Sequence, residues 1–314
     1  MRIAVADLGT NSTRLLVADV DEHGPSPRVH QLERHTVVTR LGEGVDESGR
    51  LAPQAADRVC AALRRFREIA DAAGATRRVA VATSAVREAA NGNDLAARVR
   101  DEIGFDIHTI SGDEEARLTF LGATAGRADT GPTLVIDVGG GSTELVVGHR
   151  GADPTFHVST RLGSVRQSER HLHHDPPRHG ELEALADEAA RTIADAVPGG
   201  VRAEVTRGIA VAGTPTSLAA IDQELDPYDP ERVDGYVLPL ATAERILALL
   251  AVKDLDERRA VTGLHPDRAP TIVAGVAILV EAMRLFGLEH VEVSERDILE
   301  GAALEAASGT IRGA

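Results

Sequence analysis

Apolar residues fill positions 3–6 and 134–136. Each run ends on an aspartate, turns through glycine, and resumes apolar at 15–18 and 145–147. Short unbroken apolar runs bounded by glycine predict buried strands. The stretch 29–41 predicts a further pair of strands. Residues 53–74 predict a helix: Pro53 opens it, Gly74 closes it, and Val59, Leu63, Phe66, Ile69 and Ala70 recur at helical spacing. A buried strand at 79–82 and helices at 94–103 and 111–125 follow. After 127–132, the best linker candidate, the pattern restarts with strands at 133–137, 145–148 and 156–160, then helices at 164–171 and 181–196. A strand at 205–212 runs into GTPTS, and helices at 241–250, 271–286 and 294–307 complete the chain.

The restart is a repeat. IAVADLGTNSTRLLVADV and TLVIDVGGGSTELVVGH align so that Asp7, Gly9, Ser12 and Thr13 match Asp137, Gly139, Ser142 and Thr143. Self-similarity at domain scale weighs more than any single motif. It predicts two related α/β domains, 1–130 and 131–314, whose glycine hairpins face each other across a cleft.

Composition narrows the partners. The 314 residues are 43% hydrophobic but only 2% aromatic, so the cores are built from Ala, Val, Leu and Ile. A formal net charge of −15 argues against nucleic acid and acidic membranes as partners. It leaves room for an anionic ligand held by a local nest of amides, a few arginines and a metal ion. Cys60 is the single cysteine, which excludes a disulfide framework and a cysteine metal site. With no leader-like start and no apolar stretch of membrane-spanning length, a cytoplasmic protein is expected.

Glycine turns after strands let amides point inward without Cβ obstruction and bind phosphate oxygens. Asp7, Asp137 and Glu144 suit Mg²⁺, which takes one or two carboxylates with phosphate oxygens and water. Ser111 and Glu114 fit a capping box, so Asp113, Glu114 and Glu115 read first as residues favoured by the helix dipole. Arg14, Arg117, Arg161 and Arg166 read as structural or solvated. The histidines of HLHHDPPRH (His171, His173, His174, His179) match no tight metal spacing and read as a solvated loop.

The two hairpins resemble the phosphate-1 and phosphate-2 loops of the actin-like ATPase superfamily. Within it DLGTNSTRLL, ATSAVREAAN, ISGDEEARLTFLGA, VIDVGGGSTELVVG and VAGTPTSLAAI together resemble the exopolyphosphatase/guanosine pentaphosphate phosphohydrolase (Ppx/GppA) family, over residues 2–303. The resemblance implies two actin-like ATPase (ribonuclease H-like) α/β domains around a cleft, with the last helix, about 294–308, packing back on the first. It implies Glu115 as the base that activates water, Glu144 as a second essential acid at metal and water, Asp137 at the metal, and Arg87 facing the phosphates. Gly9, Thr10, Asn11 and Ser12, and Gly139, Gly140, Gly141 and Ser142, match the phosphate loops. Gly213 and Thr214 hold the place of the adenosine motif, where the paired glycines of nucleotide binders are missing. The implied cofactor is Mg²⁺, with a monovalent cation such as K⁺ as a second ion, and the implied assembly a homodimer. Inorganic polyphosphate is the favoured substrate, short chains above long ones because no further helical domain follows. Guanosine pentaphosphate hydrolysis, or a weakly active polyphosphate- or guanosine-phosphate-binding regulator, remains an alternative, as does a kinase.

Overall fold

In a computed structural model, residues 1–21, 28–127, 131–309 and 311 are described. Residues 128–130 of the expected linker therefore lie outside the described residues. The chain divides into two compact units, Met1–Ala128 with Asp297–Ala314, and Asp129–Arg296.

The first unit is built on a sheet of β1 (Arg2–Leu8), β2 (Ser12–Asp21), β3 (Arg28–Val38), β4 (Arg77–Ala82) and β5 (Asp106–Thr109), in the order β3-β2-β1-β4-β5. β1 pairs antiparallel with β2 and parallel with β4. Being central, β1 is buried on both faces, and its side chains alternate between two cores. Ala4, Ala6 and Leu8 join Leu15, Val17, Val59, Leu63 and Phe66 under the helix Pro53–Ala72. Ile3 and Val5 join Leu16, Ala18, Leu118, Leu299 and Ala303 on the other face. The same alternation puts Asp7 and Arg14 on that second face. The helices Gly112–Thr124 and Ile298–Ser308 cover it.

The second unit repeats this plan. β6 (Thr133–Val138), β7 (Thr143–Gly148), β8 (Phe156–Thr160), β9 (Arg207–Val211), β10 (Val237–Pro239) and β11 (His290–Val293) run in the order β10-β11-β9-β6-β7-β8. β6 pairs antiparallel with β7 and parallel with β9, as β1 does with β2 and β4. β11 takes the place of β5, and β10 is an added edge. The helix Ile272–Leu285, buried along almost its whole length, fills the core with Ile193, Leu218 and Leu250.

Several expectations shift. The stretch expected to be two strands is the single 11-residue edge strand β3, because no turn residue interrupts it. The helix expected over 94–103 runs from Gly92 to Arg98 and widens into a π turn, Val99–Ile103. The last helix starts at Ile298, since the Ser294 amide still extends the sheet by bonding the Ala210 carbonyl at 2.9 Å. Asp297 then caps the helix by accepting from the Leu299 amide, while Glu300 accepts from the Asp297 amide at 2.9 Å.

The two helices over the Asp7 face cross at glycine. A β-carbon on Gly122 would overlap the Asp297 carbonyl, and one on Gly301 the Leu118 carbonyl, in both cases backbone that cannot swing away. Gly301→Ala is therefore expected to lower the unfolding free energy by about 1–3 kcal/mol through overpacking. An open helix position would instead gain about 1 kcal/mol from the same change. Urea denaturation of the two proteins reads the sign, and a stabilised variant would contradict this packing.

Candidate functional site

Each unit carries a glycine hairpin built the same way. In the first, the Gly9 amide donates to the Ser12 carbonyl at 3.0 Å; in the second, the Gly139 amide donates to the Ser142 carbonyl at 3.0 Å. A β-carbon on Gly9 would stand 2.9 Å from that carbonyl oxygen, and one on Gly139 3.0 Å, which is why both turns need glycine here.

The carbonyls of both turns are turned into the protein. Gly42 donates to the Thr10 carbonyl at 2.8 Å, and Thr39 and Arg40 donate to that of Asn11 at 3.0 and 2.9 Å. In the second hairpin the start of the helix Ser164–His171 does this work. Ser164 donates to the Gly139 carbonyl at 2.9 Å and Val165 to that of Gly140 at 2.9 Å. Arg166 Nε donates to the Gly141 carbonyl at 2.9 Å. Gly163 is packed so closely on Gly140 and Gly141 that a side chain there would overlap them. With the Thr10 and Asn11 carbonyls of the first turn and the Gly139, Gly140 and Gly141 carbonyls of the second taken, the turns have amides and hydroxyls to offer, the donor set an anion needs.

The first hairpin also holds two buried polar atoms without a hydrogen-bond partner, Asp7 Oδ1 and Ser12 Oγ. Groups of this kind are rare in folded proteins and mark places where a further partner binds. Asp7 Oδ2 is occupied: Arg14, directly opposite on β2, donates to it from Nε at 2.9 Å and Nη2 at 2.7 Å. Thr10 Oγ1 lies 3.2 Å from Ser84 Oγ. Burial raises the Asp7 carboxyl above its ordinary pKa, opposed by Arg14.

Glu115 lies in the first turn of Gly112–Thr124, a helix capped by Ser111 Oγ accepting from the Glu114 amide at 3.1 Å. It is not the exposed helix-start residue that composition suggested, being 7% exposed. Arg87 Nη1 donates to Glu115 Oε2 at 2.8 Å and to the Ile110 carbonyl at 2.9 Å. Burial pushes the Glu115 pKa up to about 7, with Asp7 and Glu88 adding to the rise and Arg87 opposing it. A carboxylate poised near neutrality suits proton transfer.

In the second unit Asp137 and Glu144 are direct cross-strand partners, so both carboxylates share one face of the sheet. Glu144 is 1% exposed, and Ser159, next in the same row on β8, donates to its Oε1 at 2.7 Å. Like charges placed directly opposite destabilise a ladder, a cost that a cation offsets. Among the described residues no cluster of three or more His, Cys, Asp or Glu could hold a metal alone. Two opposed carboxylates suit a hard divalent cation that draws its remaining ligands from water and phosphate.

Gly213 and Thr214 open the helix Gly213–Asp222. Ala212 before them has φ 70° and ψ −172°, a glycine-like conformation that costs about 1–3 kcal/mol and concentrates at functional sites. Arg268 packs onto Gly213 where a side chain would otherwise stand. The histidine loop holds local pairs: His171 Nε2 is 2.8 Å from Glu188 Oε2, and His174 Nδ1 is 2.7 Å from Glu181 Oε1. Sequence reasoning missed Ser159, Arg268 and Asp297, which join these sites through register and long-range packing and carry no motif of their own. It also set Arg14 aside, although its place opposite Asp7 in the repeat was a usable signal.

The family model described as the Ppx/GppA phosphatase family matches residues 16–308. The chain belongs to the Ppx/GppA family. A Ppx/GppA relative named exopolyphosphatase 2, from Mycobacterium tuberculosis, is 36% identical over 98% of each chain. Among solved structures, the Ppx/GppA family member of Aquifex aeolicus is 27% identical over 98% of each chain with a TM-score of 0.82. An exopolyphosphatase from Cytophaga hutchinsonii is 27% identical over 100% of each chain with a TM-score of 0.89. The doubled α/β architecture is thus that of Ppx/GppA structures. Among the described residues no helix is long and apolar enough to cross a membrane.

The buried Glu115 has a stability signature. The folded protein keeps its proton up to about pH 7, whereas the ordinary value is 4.5. Its contribution is thus fully present below pH 4.5 and is lost as pH rises through about 7. Glu115→Gln keeps an acceptor for Arg87 and removes the buried charge. At pH 8 the variant is expected to be more stable than the wild type by on the order of 1–3 kcal/mol, a gain absent at pH 4. Chemical denaturation at the two pH values checks this.

Proposed function

We propose that the chain is a phosphoanhydride hydrolase that removes the terminal phosphate of inorganic polyphosphate as orthophosphate. One observation carries the assignment of the base: Glu115 is buried against a single arginine, with its carboxyl held near neutrality. The wider reading is supported by the two glycine hairpins, most of whose carbonyls are bonded within the protein, and by the exopolyphosphatase names of full-length relatives.

In this reading the first hairpin (Gly9, Thr10, Asn11, Ser12) and the second (Gly139, Gly140, Gly141, Ser142) hold phosphate oxygens through amides and hydroxyls. Gly213 and Thr214 bind further along the chain. Glu115, ionised, orients a water and takes its proton as the oxygen bonds to the terminal phosphorus. The bridging P–O bond breaks, the shortened chain leaves, and orthophosphate is released. Such a loose transition state needs placement and charge neutralisation more than covalent help. Arg87 supplies positive charge beside Glu115 and is drawn toward an arriving phosphate, which frees the carboxylate for the water. Asp137 and Glu144, with Asp7, are the carboxylates that would hold a divalent cation, taken to be Mg²⁺, which would supply positive charge to offset that of the phosphates. Ser159 fixes the Glu144 carboxylate from below in the strand row.

The deciding measurement is orthophosphate release from short polyphosphate, long polyphosphate, guanosine pentaphosphate and ATP, each with and without Mg²⁺. Release is expected from polyphosphate with Mg²⁺, faster on short chains than on long. Preference for guanosine pentaphosphate would move the assignment to that substrate, and phosphorylation of an acceptor by ATP would overturn it. Because Glu115 must be ionised, kcat/KM is expected to fall tenfold per pH unit well below pH 7. Glu115→Gln should lose about 10²–10⁴ in rate. Equal, near-zero rates in wild type and variant would favour a binding protein instead.

A further inference from the structure

One polar network in the first unit is used by the reaction described above only at its first member, Asp7. It runs from Asp7 through Arg14 to the start of the last helix. Arg14 Nε and Nη2 both donate to a single oxygen, Asp7 Oδ2, and its remaining nitrogen, Nη1, pairs with Asp297 Oδ2. The three side chains are 5% (Asp7), 17% (Arg14) and 3% (Asp297) exposed, so the network is largely shielded from water. Asp297 is itself anchored: its Oδ1 accepts from the Leu299 amide at 3.0 Å, and its own amide donates to Glu300 Oε2 at 2.9 Å. Glu300 Oε1 in turn pairs with Arg34 on β3, so the carboxylates and guanidinium groups alternate across the sheet face.

The geometry at Asp7 is unusual for this pair of groups. Left to themselves, a guanidinium and a carboxylate favour the fork–fork arrangement, with two parallel bonds to two oxygens. Here both bonds go to one oxygen, and Asp7 Oδ1 stays buried with no partner. We propose that Asp297 is a positioning residue for the reaction: by holding Arg14 Nη1 it stops the guanidinium from closing over both Asp7 oxygens, and so keeps Oδ1 open for the divalent cation. The proposal rests on the reading of Asp7 as a cation ligand. Helix capping alone does not require it, since Asn or Ser would cap this helix as well as Asp.

Asp297→Asn separates the two roles. It keeps the capping oxygen and removes the charge that holds Arg14. The readout is Mn²⁺ binding to the whole chain by titration calorimetry, with thermal unfolding alongside. Asp297→Asn is expected to weaken Mn²⁺ binding about tenfold with little change in melting temperature, and to lower kcat more than it raises KM. The double variant Arg14→Met with Asp297→Asn, which removes the competing guanidinium, should restore Mn²⁺ binding. Glu300→Gln loosens the same helix start without touching Arg14 and should leave Mn²⁺ binding unchanged. Should Asp297→Asn not fold, Asp297→Ser carries the same comparison. Wild-type Mn²⁺ affinity in Asp297→Asn, no rescue in the double variant, or an equal loss in Glu300→Gln would each overturn the proposal. A wild type that binds Mn²⁺ yet releases no phosphate would count against the hydrolase reading instead, and the Mn²⁺ comparison would stand apart from it.

Discussion

The capture of carbonyl oxygens behind the two glycine turns is the constraint on which both sites depend. A glycine turn has no inherent preference for anions, because its carbonyls repel them as strongly as its amides attract them. Selectivity appears once the carbonyls are bonded elsewhere. In the first unit the segment after β3 does this through Thr39, Arg40 and Gly42; in the second, the start of a helix does it through Ser164, Val165 and Arg166. The two solutions differ in sequence and in structure, yet leave the same donors. This convergence also explains why glycine is needed at Gly163, well outside the turn it supports: the helix start could not otherwise approach the Gly140 and Gly141 backbone.

Around those turns the sheets act as rulers. Alternation along β1 sends Asp7 to the face covered by two helices whose N-terminal ends carry Glu115 and Asp297. Close crossing of these helices at Gly122 and Gly301 ties the position of one start to that of the other. Burial is then the main force acting on Glu115, and a single arginine offsets only part of it. A carboxylate in such a place reduces stability at neutral pH, a cost that a residue with only a structural task would have no reason to bear.

Much of this was legible in the chain. The repeat, the glycine turns, the long amphipathic helix at Pro53–Ala72 and the buried central strands all express local periodicity, and periodicity survives in one dimension. The Ser111 N-cap was also readable and set the helix start that carries Glu115, although Glu114 turns to Arg117 and does not close the expected capping box. Other features were not. β5, β10 and β11 are four residues or fewer, too short to show a period. Local composition placed Glu115 on a surface, whereas the fold buries it against Arg87, 28 residues earlier in the chain. Ser159 and Asp297 reach their partners only through strand register and a chain return of 283 residues between Arg14 and Asp297, and neither leaves a trace in spacing.

The two hairpins differ most at a single register position. Opposite the aspartate that ends the first strand, the first unit has Arg14 and the second has Glu144. The backbone is the same, and the charge is reversed. Asp7 with Arg14 is close to neutral by itself, so an added cation meets a ligand already half satisfied. Asp137 with Glu144 instead sets two carboxylates directly opposite each other on one face. The two pairs therefore present different chemistry: a carboxylate already bonded by an arginine in the first unit, and two carboxylates in one row in the second. A duplicated hairpin with one inverted charge thus yields two chemically unequal elements, one in each unit.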